Sequence, residues 1–113
     1  MKKLLLLGGF MCFTILINAQ SKTKQYTIRT LAFYNVENLF DTINNPNKND
    51  EASPMMELKG NKSKVYWDKI DKLGFVISQI GFDTAKTGPA IIGISEIENR
   101  AVLEDLVKSK YLI

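Results

Sequence analysis

Gly88-Pro-Ala-Ile-Ile-Gly-Ile-Ser-Glu-Ile-Glu-Asn-Arg100 is a turn signal followed by an apolar run that ends in two carboxylates and an asparagine. A run this continuously apolar predicts a strand that is buried on both faces, as in parallel sheets covered by helices. A carboxylate at the end of such a strand has to be paired, solvated or bound to a metal ion. Which of these applies to Glu96 and Glu98 depends on the groups that the rest of the chain places beside them.

Regular elements are predicted on both sides of this strand. Residues 27–36 predict a first strand whose second half lies deeper, with Asn35 at the end of its apolar run. Residues 66–80 predict an amphipathic helix that Gly81 ends. Asn99 is a good N-cap for a second helix over residues 100–109, and residues 111–113 predict the start of another strand. The apolar stripe of the first helix consists of Tyr66, Ile70, Leu73, Val76, Ile77 and Ile80.

The segment between the first strand and the first helix, residues 42–64, predicts a long irregular loop, which is usually functional or disordered. The order strand, loop, helix, strand, helix predicts two parallel strands joined by a crossover. Two strands alone leave apolar faces and edges unpaired. The fold class is therefore α/β, with the chain forming the opening βαβα segment of a larger layered domain.

The first residues predict a secretory signal peptide. A basic start containing Lys2 and Lys3 precedes an apolar run over residues 4–17, and Ala19 is a suitable cleavage residue. We therefore expect a leader over residues 1–19 and a domain over residues 20–113, exported to the periplasm or secreted, with no stable membrane anchor after cleavage. The alternative is an uncleaved anchor, which N-terminal sequencing would exclude if the exported product starts at Gln20.

Composition excludes several classes of site. The chain has 15 basic and 12 acidic residues, and the leader holds two of the basic ones, so 13 basic residues against 12 acidic ones leave a net charge of +1. This charge gives no broad electrostatic footprint for nucleic acid. The single cysteine, Cys12, lies in the leader, and the chain has no histidine. Thiolate sites, Ser-His-Asp sites and histidine-ligated zinc are therefore excluded within residues 20–113.

Asn35 and Glu96 end two strands that the crossover makes parallel. Ligands of open α/β sheets bind just outside the carboxyl ends of the strands, so the two side chains are expected to converge. A carboxylate and an amide oxygen suit Mg²⁺, which usually takes one or two carboxylates and substrate phosphate. The alternative is that Asn35 caps a turn and that Glu96 or Glu98 is a solvated carboxylate.

Two motifs carry a family resemblance: Phe-Tyr-Asn-Val-Glu-Asn-Leu-Phe at residues 33–40 and Ile-Ile-Gly-Ile-Ser-Glu-Ile-Glu-Asn at residues 91–99. They resemble the opening motifs of the endonuclease/exonuclease/phosphatase superfamily, which has the deoxyribonuclease-I-like layered α/β sandwich, and specifically an exported bacterial branch. The resemblance implies that Asn35 lies at the metal and phosphate site and that Glu96 is the principal Mg²⁺ ligand, with Mn²⁺ or Ca²⁺ as alternatives. Ser95 stands where glutamine is more common.

The same resemblance implies a Mg²⁺-dependent hydrolase that cleaves phosphodiester or phosphomonoester bonds by attack of an activated water. Its substrate would be nucleic acid, a phospholipid head group or a small phosphoester, and no protein partner is inferred. The family also uses a histidine, an Asp-x-Asn motif and an Asp-His pair, none of which occurs here. The resemblance therefore covers only the N-terminal part of a longer domain, and the isolated chain is expected to be inactive.

Between the two acids, Glu96 is the preferred ligand. Strand alternation places it on the face of Ile92 and Ile94, and it matches the family's metal ligand. Glu98 is expected to pair with a basic residue or to cap the next helix. The alternative function is a small secreted, non-catalytic α/β binding module whose contact surface is the loop of residues 42–64.

Overall fold

The computed structural model describes residues 24–113, so the predicted leader over residues 1–19 lies outside the described residues. Within residues 24–113 no helix is long and apolar enough to cross a membrane. The described part has two parallel strands and four helices, which confirms the mixed α/β class. In chain order the elements are β1 (Leu31–Leu39), α1 (Pro54–Glu57), α2 (Lys62–Gln79), α3 (Phe82–Ala85), β2 (Ile91–Ile97) and α4 (Arg100–Val107).

The two strands pair in parallel, as the crossover predicts, but β1 is displaced along the chain from the prediction. It begins at Leu31 rather than at residue 27 because its partner begins only at Ile91, directly opposite. It ends at Leu39 rather than at residue 36 because the ladder resumes there, with Leu39 opposite Ile97. Asn35 therefore lies inside the assigned strand, four residues before its end.

The sheet has one covered face and one open face. Ile92 and Ile94 pack against the core on the covered face. On the open face Leu31 is 72%, Phe33 77% and Ile91 64% exposed. The prediction of a strand buried on both faces is therefore wrong for residues 24–113, where α2 and α4 lie on one side only. The prediction that two strands leave apolar surface unpaired is confirmed.

Helix α2 is the longest element and follows its predicted stripe, with two differences. It begins at Lys62, one turn before the predicted start, where the Val65 N–H donates to the Asn61 carbonyl. Within the stripe Ile70 and Ile77 are buried, whereas Val76 is 40% exposed. The helix ends before Gly81, whose φ of 75° reverses the chain as predicted.

The core lies between the covered face of the sheet and the two longer helices. Part of the loop predicted over residues 42–64 contributes to it, because Met55 on α1 is buried. The hydroxyl of Ser53 caps α1 by accepting the Met56 N–H at 3.3 Å. The prediction of an irregular loop is therefore wrong for this short helix and for the first turn of α2. The buried apolar residues are Val36, Leu39, Met55, Tyr66, Ile70, Ile77, Val102 and Leu106.

Helix α4 is capped as predicted, whereas the end of the chain is not a strand. The Asn99 side-chain oxygen accepts the Val102 N–H at 3.0 Å, and α4 ends two residues before the predicted end. Residues 110–112 form a turn, in which the Leu112 N–H donates to the Ser109 carbonyl at 2.9 Å. Tyr111 packs edge to face on Phe75 of α2, so this apolar segment lies against a helix instead of joining the sheet edge.

Gly74 allows α2 to approach the turn after α4 closely. A Cβ at this position would overlap the hydroxyl of Ser109 and lie 2.7 Å from its Cβ. Alanine normally stabilises a helix interior by about 1 kcal/mol over glycine. Here overpacking outweighs that gain, and we expect Gly74→Ala to lower the free energy of unfolding by about 1–3 kcal/mol in urea titrations. Gly60→Ala, which meets nothing within 4 Å, is the matched control, and equal stability of the two variants would contradict the prediction.

Candidate active site

The predicted site residues lie where the strand ladder is interrupted. Asn35 is opposite Ser95, and the next pair is Leu39 with Ile97. Three residues of β1 thus face a single residue of β2, Glu96. Such a bulge bends the strand and redirects its side chains, and bulges are common beside active sites.

The backbone of this bulge is left-handed at three residues, none of which is glycine. The φ angles are 53° at Glu37, 55° at Asn38 and 59° at Glu96. Each such residue costs about 1–3 kcal/mol and persists only where the surrounding structure holds it, most often at functional sites. Val36, the first residue of the bulge, and Leu39, the residue that follows it, are fully buried and anchor the bulge from the core side.

Asn35 and Glu96 are in direct contact, as their convergence at the strand ends predicts. The Asn35 side-chain amide Nδ2 donates to Glu96 Oε1 at 2.7 Å. The Asn38 backbone N–H donates to Glu96 Oε2 at 3.2 Å, so both carboxylate oxygens are held. Asn35 Oδ1 in turn accepts the Glu37 N–H at 2.7 Å. Glu96 is therefore oriented by one side chain and by the backbone of the bulge.

The prediction that Glu96 shares the face of Ile92 and Ile94 is wrong. Left-handed backbone at Glu96 interrupts the alternation, and Ile97 instead packs against the core. Glu96 is exposed and reaches Asn35, which is also exposed. The carboxylate is consequently accessible from solvent at the edge of the sheet.

Lys69 of α2 completes the site on the helix side. Its ammonium donates to the Glu37 carbonyl at 2.5 Å and to the Asn38 carbonyl at 3.2 Å. Partial burial lowers the pKa of Lys69 below its usual value, and the nearby acids Glu37 and Glu96 oppose this shift. The site thus combines a carboxylate, an amide and an ammonium group around one bulge.

Glu98 belongs to a separate network. Its carboxylate accepts the Asp41 N–H at 3.0 Å, and Asn99 Nδ2 donates to Asp41 at 3.2 Å. Asn99, not Glu98, caps α4. The prediction that Glu98 pairs with a basic residue or caps that helix is therefore wrong: it fastens the end of β1 to the end of β2.

Tyr66 lies beneath this second network and joins two helices. Its hydroxyl donates to Asp105 of α4 at 2.9 Å. Burial is the main cause of a raised pKa of Tyr66, with smaller contributions from the hydrogen bond and charge of Asp105 and from the charges of Asp41 and Glu98. The phenol therefore stays protonated and serves as a structural donor.

The donor chemistry at Glu96 fits a hard divalent cation. Each carboxylate oxygen has two acceptor positions, and each accepts one hydrogen bond from the bulge, so one position on each oxygen stays open. Mg²⁺ commonly takes only one or two carboxylates and keeps several waters. Within residues 24–113 no group of three or more acidic, histidine or cysteine side chains forms a metal cage. The arrangement thus suits a single carboxylate ligand with water and phosphate as the other donors.

Two residues of this site were missed by sequence reasoning. For Asn38 the only sequence indication is weak: asparagine tolerates left-handed backbone better than most residues. Lys69 lies among the charged residues of the polar side of α2, and nothing in the periodicity distinguishes it from Lys72. Only the packing of α2 on the sheet brings Lys69 to the bulge.

A known protein family matches the region that contains this site. The family model described as "Endonuclease/Exonuclease/phosphatase family" matches residues 30–113, which include both strands, the bulge and the helices around them. Neither the curated proteins nor the solved structures gave a match. Because the matched region covers most of the chain, this protein belongs to the endonuclease/exonuclease/phosphatase family.

Proposed function

We propose that the chain is the N-terminal part of an exported, Mg²⁺-dependent phosphoester hydrolase and that Glu96 is its metal ligand. Family membership supports a phosphoesterase-type domain, and members of this family generally depend on divalent metal ions. The observation that carries the assignment to Glu96 is its bidentate fixation by Asn35 and the Asn38 N–H at an exposed sheet edge. A carboxylate held in this way is oriented before any ligand arrives.

In this proposal Asn35 mainly orients the metal ligand Glu96. Its Nδ2 donates to Glu96, while Oδ1 accepts the Glu37 N–H and keeps one acceptor position. Asn35 therefore orients Glu96 first, and its oxygen is available to a metal-bound water or to the metal itself. A bound Mg²⁺ would supply polarisation of a phosphoryl oxygen and stabilise the leaving oxygen.

Other catalytic groups are expected from outside the described site. Water attack on a phosphoester needs a group that accepts a proton from water and a donor on the phosphate. The chain has no histidine and no Asp-x-Asn or Asp-His motif. We therefore expect further sequence of the same domain to supply them, and the reading frame after codon 113 tests this directly.

The proposal identifies the substrate only as a phosphoester. Nucleic acid, a phospholipid head group and a small phosphoester all present the same anionic group to a metal at Glu96. The predicted net charge of +1 for residues 20–113 favours none of them. Export to the periplasm or beyond rests on the leader predicted over residues 1–19.

Metal binding is the experiment that tests the proposal. Calorimetric titration of the full chain with Mg²⁺ or Mn²⁺ should show one weak site, because the chain supplies few of the donors that such an ion needs. Substitution of Glu96 should remove the site. Absence of binding at millimolar-range metal, or binding that is independent of Glu96, would contradict the assignment.

The isolated chain is expected to show no turnover. With bis-p-nitrophenyl phosphate and p-nitrophenyl phosphate as substrates, added Mg²⁺ or Mn²⁺ should leave hydrolysis at the background rate, because general acid–base groups are missing. Release of nitrophenolate, followed by absorbance, is the measurement. Turnover that disappears in Glu96→Ala would show that residues of this chain suffice for catalysis.

A further inference from the structure

The bulge that holds Glu96 is itself held by one side chain of α2. Lys69 Nζ lies 2.5 Å from the Glu37 carbonyl oxygen and 3.2 Å from the Asn38 carbonyl oxygen. Neither Glu37 nor Asn38 has a partner residue on β2, because the ladder skips from Asn35 to Leu39. The ammonium group therefore replaces the strand partner that the bulge lacks.

The peptide group between Glu37 and Asn38 connects Lys69 with Glu96. Its carbonyl oxygen accepts from Lys69, and its N–H donates to Glu96 Oε2 at 3.2 Å. A cation at one end and a carboxylate at the other polarise the same peptide group, so each hydrogen bond strengthens the other. Lys69 and Glu96 are thus coupled through one peptide plane and need no direct contact.

This coupling matters because the bulge is conformationally costly. Glu37 and Asn38 both have left-handed backbone, which an exposed segment abandons easily unless it is held. Rotation of the peptide would turn the Asn38 N–H away from Glu96. The carboxylate would then keep only its bond from Asn35 and sample more orientations.

The position of Lys69 is fixed by the core. The next residue, Ile70, is 1% exposed and packs in the main apolar cluster, so α2 is immobilised beside the bulge. Other lysines of the helix are placed differently. Lys64 pairs with Asp68 one turn along, and Lys72 is exposed. Lys72 therefore offers a matched control for any change at Lys69.

We propose that Lys69 is a positioning residue for the metal site: by holding the Glu37–Asn38 peptide, it keeps the Glu96 carboxylate in the orientation that binds the divalent ion. The inference rests on the proposed function, in which Glu96 is the metal ligand. Loss of a group that orients a metal ligand typically weakens metal affinity about 10–100-fold. Lys69 touches neither metal nor substrate in this role.

Titration of the full chain with Mn²⁺, followed by electron paramagnetic resonance, tests the metal half of the inference. Lys69→Met should bind Mn²⁺ about tenfold or more weakly than the wild type, and Lys72→Met should bind it equally well. Lys69→Arg keeps the positive charge and has two donors that reach adjacent carbonyls, so it should retain most of the affinity. Unchanged affinity in Lys69→Met, or equal losses in Lys69→Arg and Lys69→Met, would overturn the proposal.

The Asn38 amide resonance of the metal-free chain tests the structural half. In Lys69→Met its proton should move upfield and exchange faster with solvent, since its bond to Glu96 is weakened; Glu96→Gln should move it as well. A resonance unmoved by Lys69→Met would also overturn the inference.

Failure of the proposed function can be distinguished from failure of this inference. If the wild-type chain binds no Mn²⁺, the proposed function fails, and the Asn38 resonance alone then decides whether Lys69 holds the peptide. If Lys69→Met is unfolded by circular dichroism, Lys69→Gln replaces it with the same expected losses.

Discussion

Glu96→Gln is expected to weaken binding of Mg²⁺ or Mn²⁺ on the order of 100-fold or more, beyond the loss typical for groups that only orient a ligand. The substitution removes the negative charge at the sheet edge. It also replaces one carboxylate oxygen by an NH₂ group, which donates hydrogen bonds. In the wild type both oxygens accept, one from Asn35 Nδ2 and the other from the Asn38 N–H, so the NH₂ group faces another donor. One of these bonds has to be lost, so the side chain loses both its charge and its fixed orientation.

Glu96→Gln should have little effect on folding, so a loss of metal binding can be assigned to the site itself. Glu96 is exposed, and surface substitutions usually change the free energy of unfolding by less than about 0.5 kcal/mol. Because Glu96 also adopts left-handed backbone, glutamine is preferable to alanine as a conservative replacement. Circular dichroism melting curves should therefore coincide with the wild type while the calorimetric metal isotherm becomes flat.

Glu98→Gln is the matched control for this prediction. Glu98 is an acid two residues after Glu96. Its carboxylate accepts the Asp41 N–H within the network that joins the two strand ends. We expect it to leave the metal dissociation constant within a factor of a few of the wild type. A larger loss in Glu98→Gln than in Glu96→Gln would move the metal to the network of Asp41, Glu98 and Asn99.

The parts of the fold that could be predicted from sequence are those fixed by local chemistry. Helical spacing of Tyr66, Ile70 and Ile77 identifies α2 because burial of one face repeats every three or four residues. Asn99 identifies the start of α4 because its oxygen satisfies an N–H that the helix leaves unpaired. The contact of Asn35 with Glu96 could also be predicted from the parallel pairing, although it forms where the ladder breaks, opposite Ser95, and not at the end of β1.

The parts that could not be predicted depend on where the ladder breaks. The apolar residues Val36 and Leu39 are three apart, and only pairing with β2 shows that the chain bulges between them. Left-handed backbone at Glu37 and Glu96 has no sequence sign, and asparagine at residue 38 gives only a weak one. The failed prediction for the face of Glu96 has the same cause: alternation holds only while the backbone stays extended.

Leu39→Ala is expected to lower the free energy of unfolding by about 2–5 kcal/mol, which is a large fraction of the stability of a small domain. Leu39 is fully buried, and it is the residue at which β1 rejoins β2 after the bulge, opposite Ile97. Its carbonyl accepts the Glu98 N–H at 3.1 Å, so its backbone also fastens the two strand ends. Removing the side chain leaves a cavity under the bulge that the buried neighbours cannot easily fill.

Urea unfolding followed by far-ultraviolet circular dichroism measures this loss, with Leu103→Ala as the matched control. Leu103 is 38% exposed on α4, so its truncation removes less buried surface and should cost clearly less. The comparison also bears on the site, because Val36 and Leu39 are the core anchors of the bulge that holds Glu96. If Leu39→Ala were no more destabilising than Leu103→Ala, the bulge would not be anchored through the core. The orientation of Glu96 would then depend only on hydrogen bonds: those that Glu96 accepts from Asn35 and Asn38, and those by which Lys69 holds the bulge.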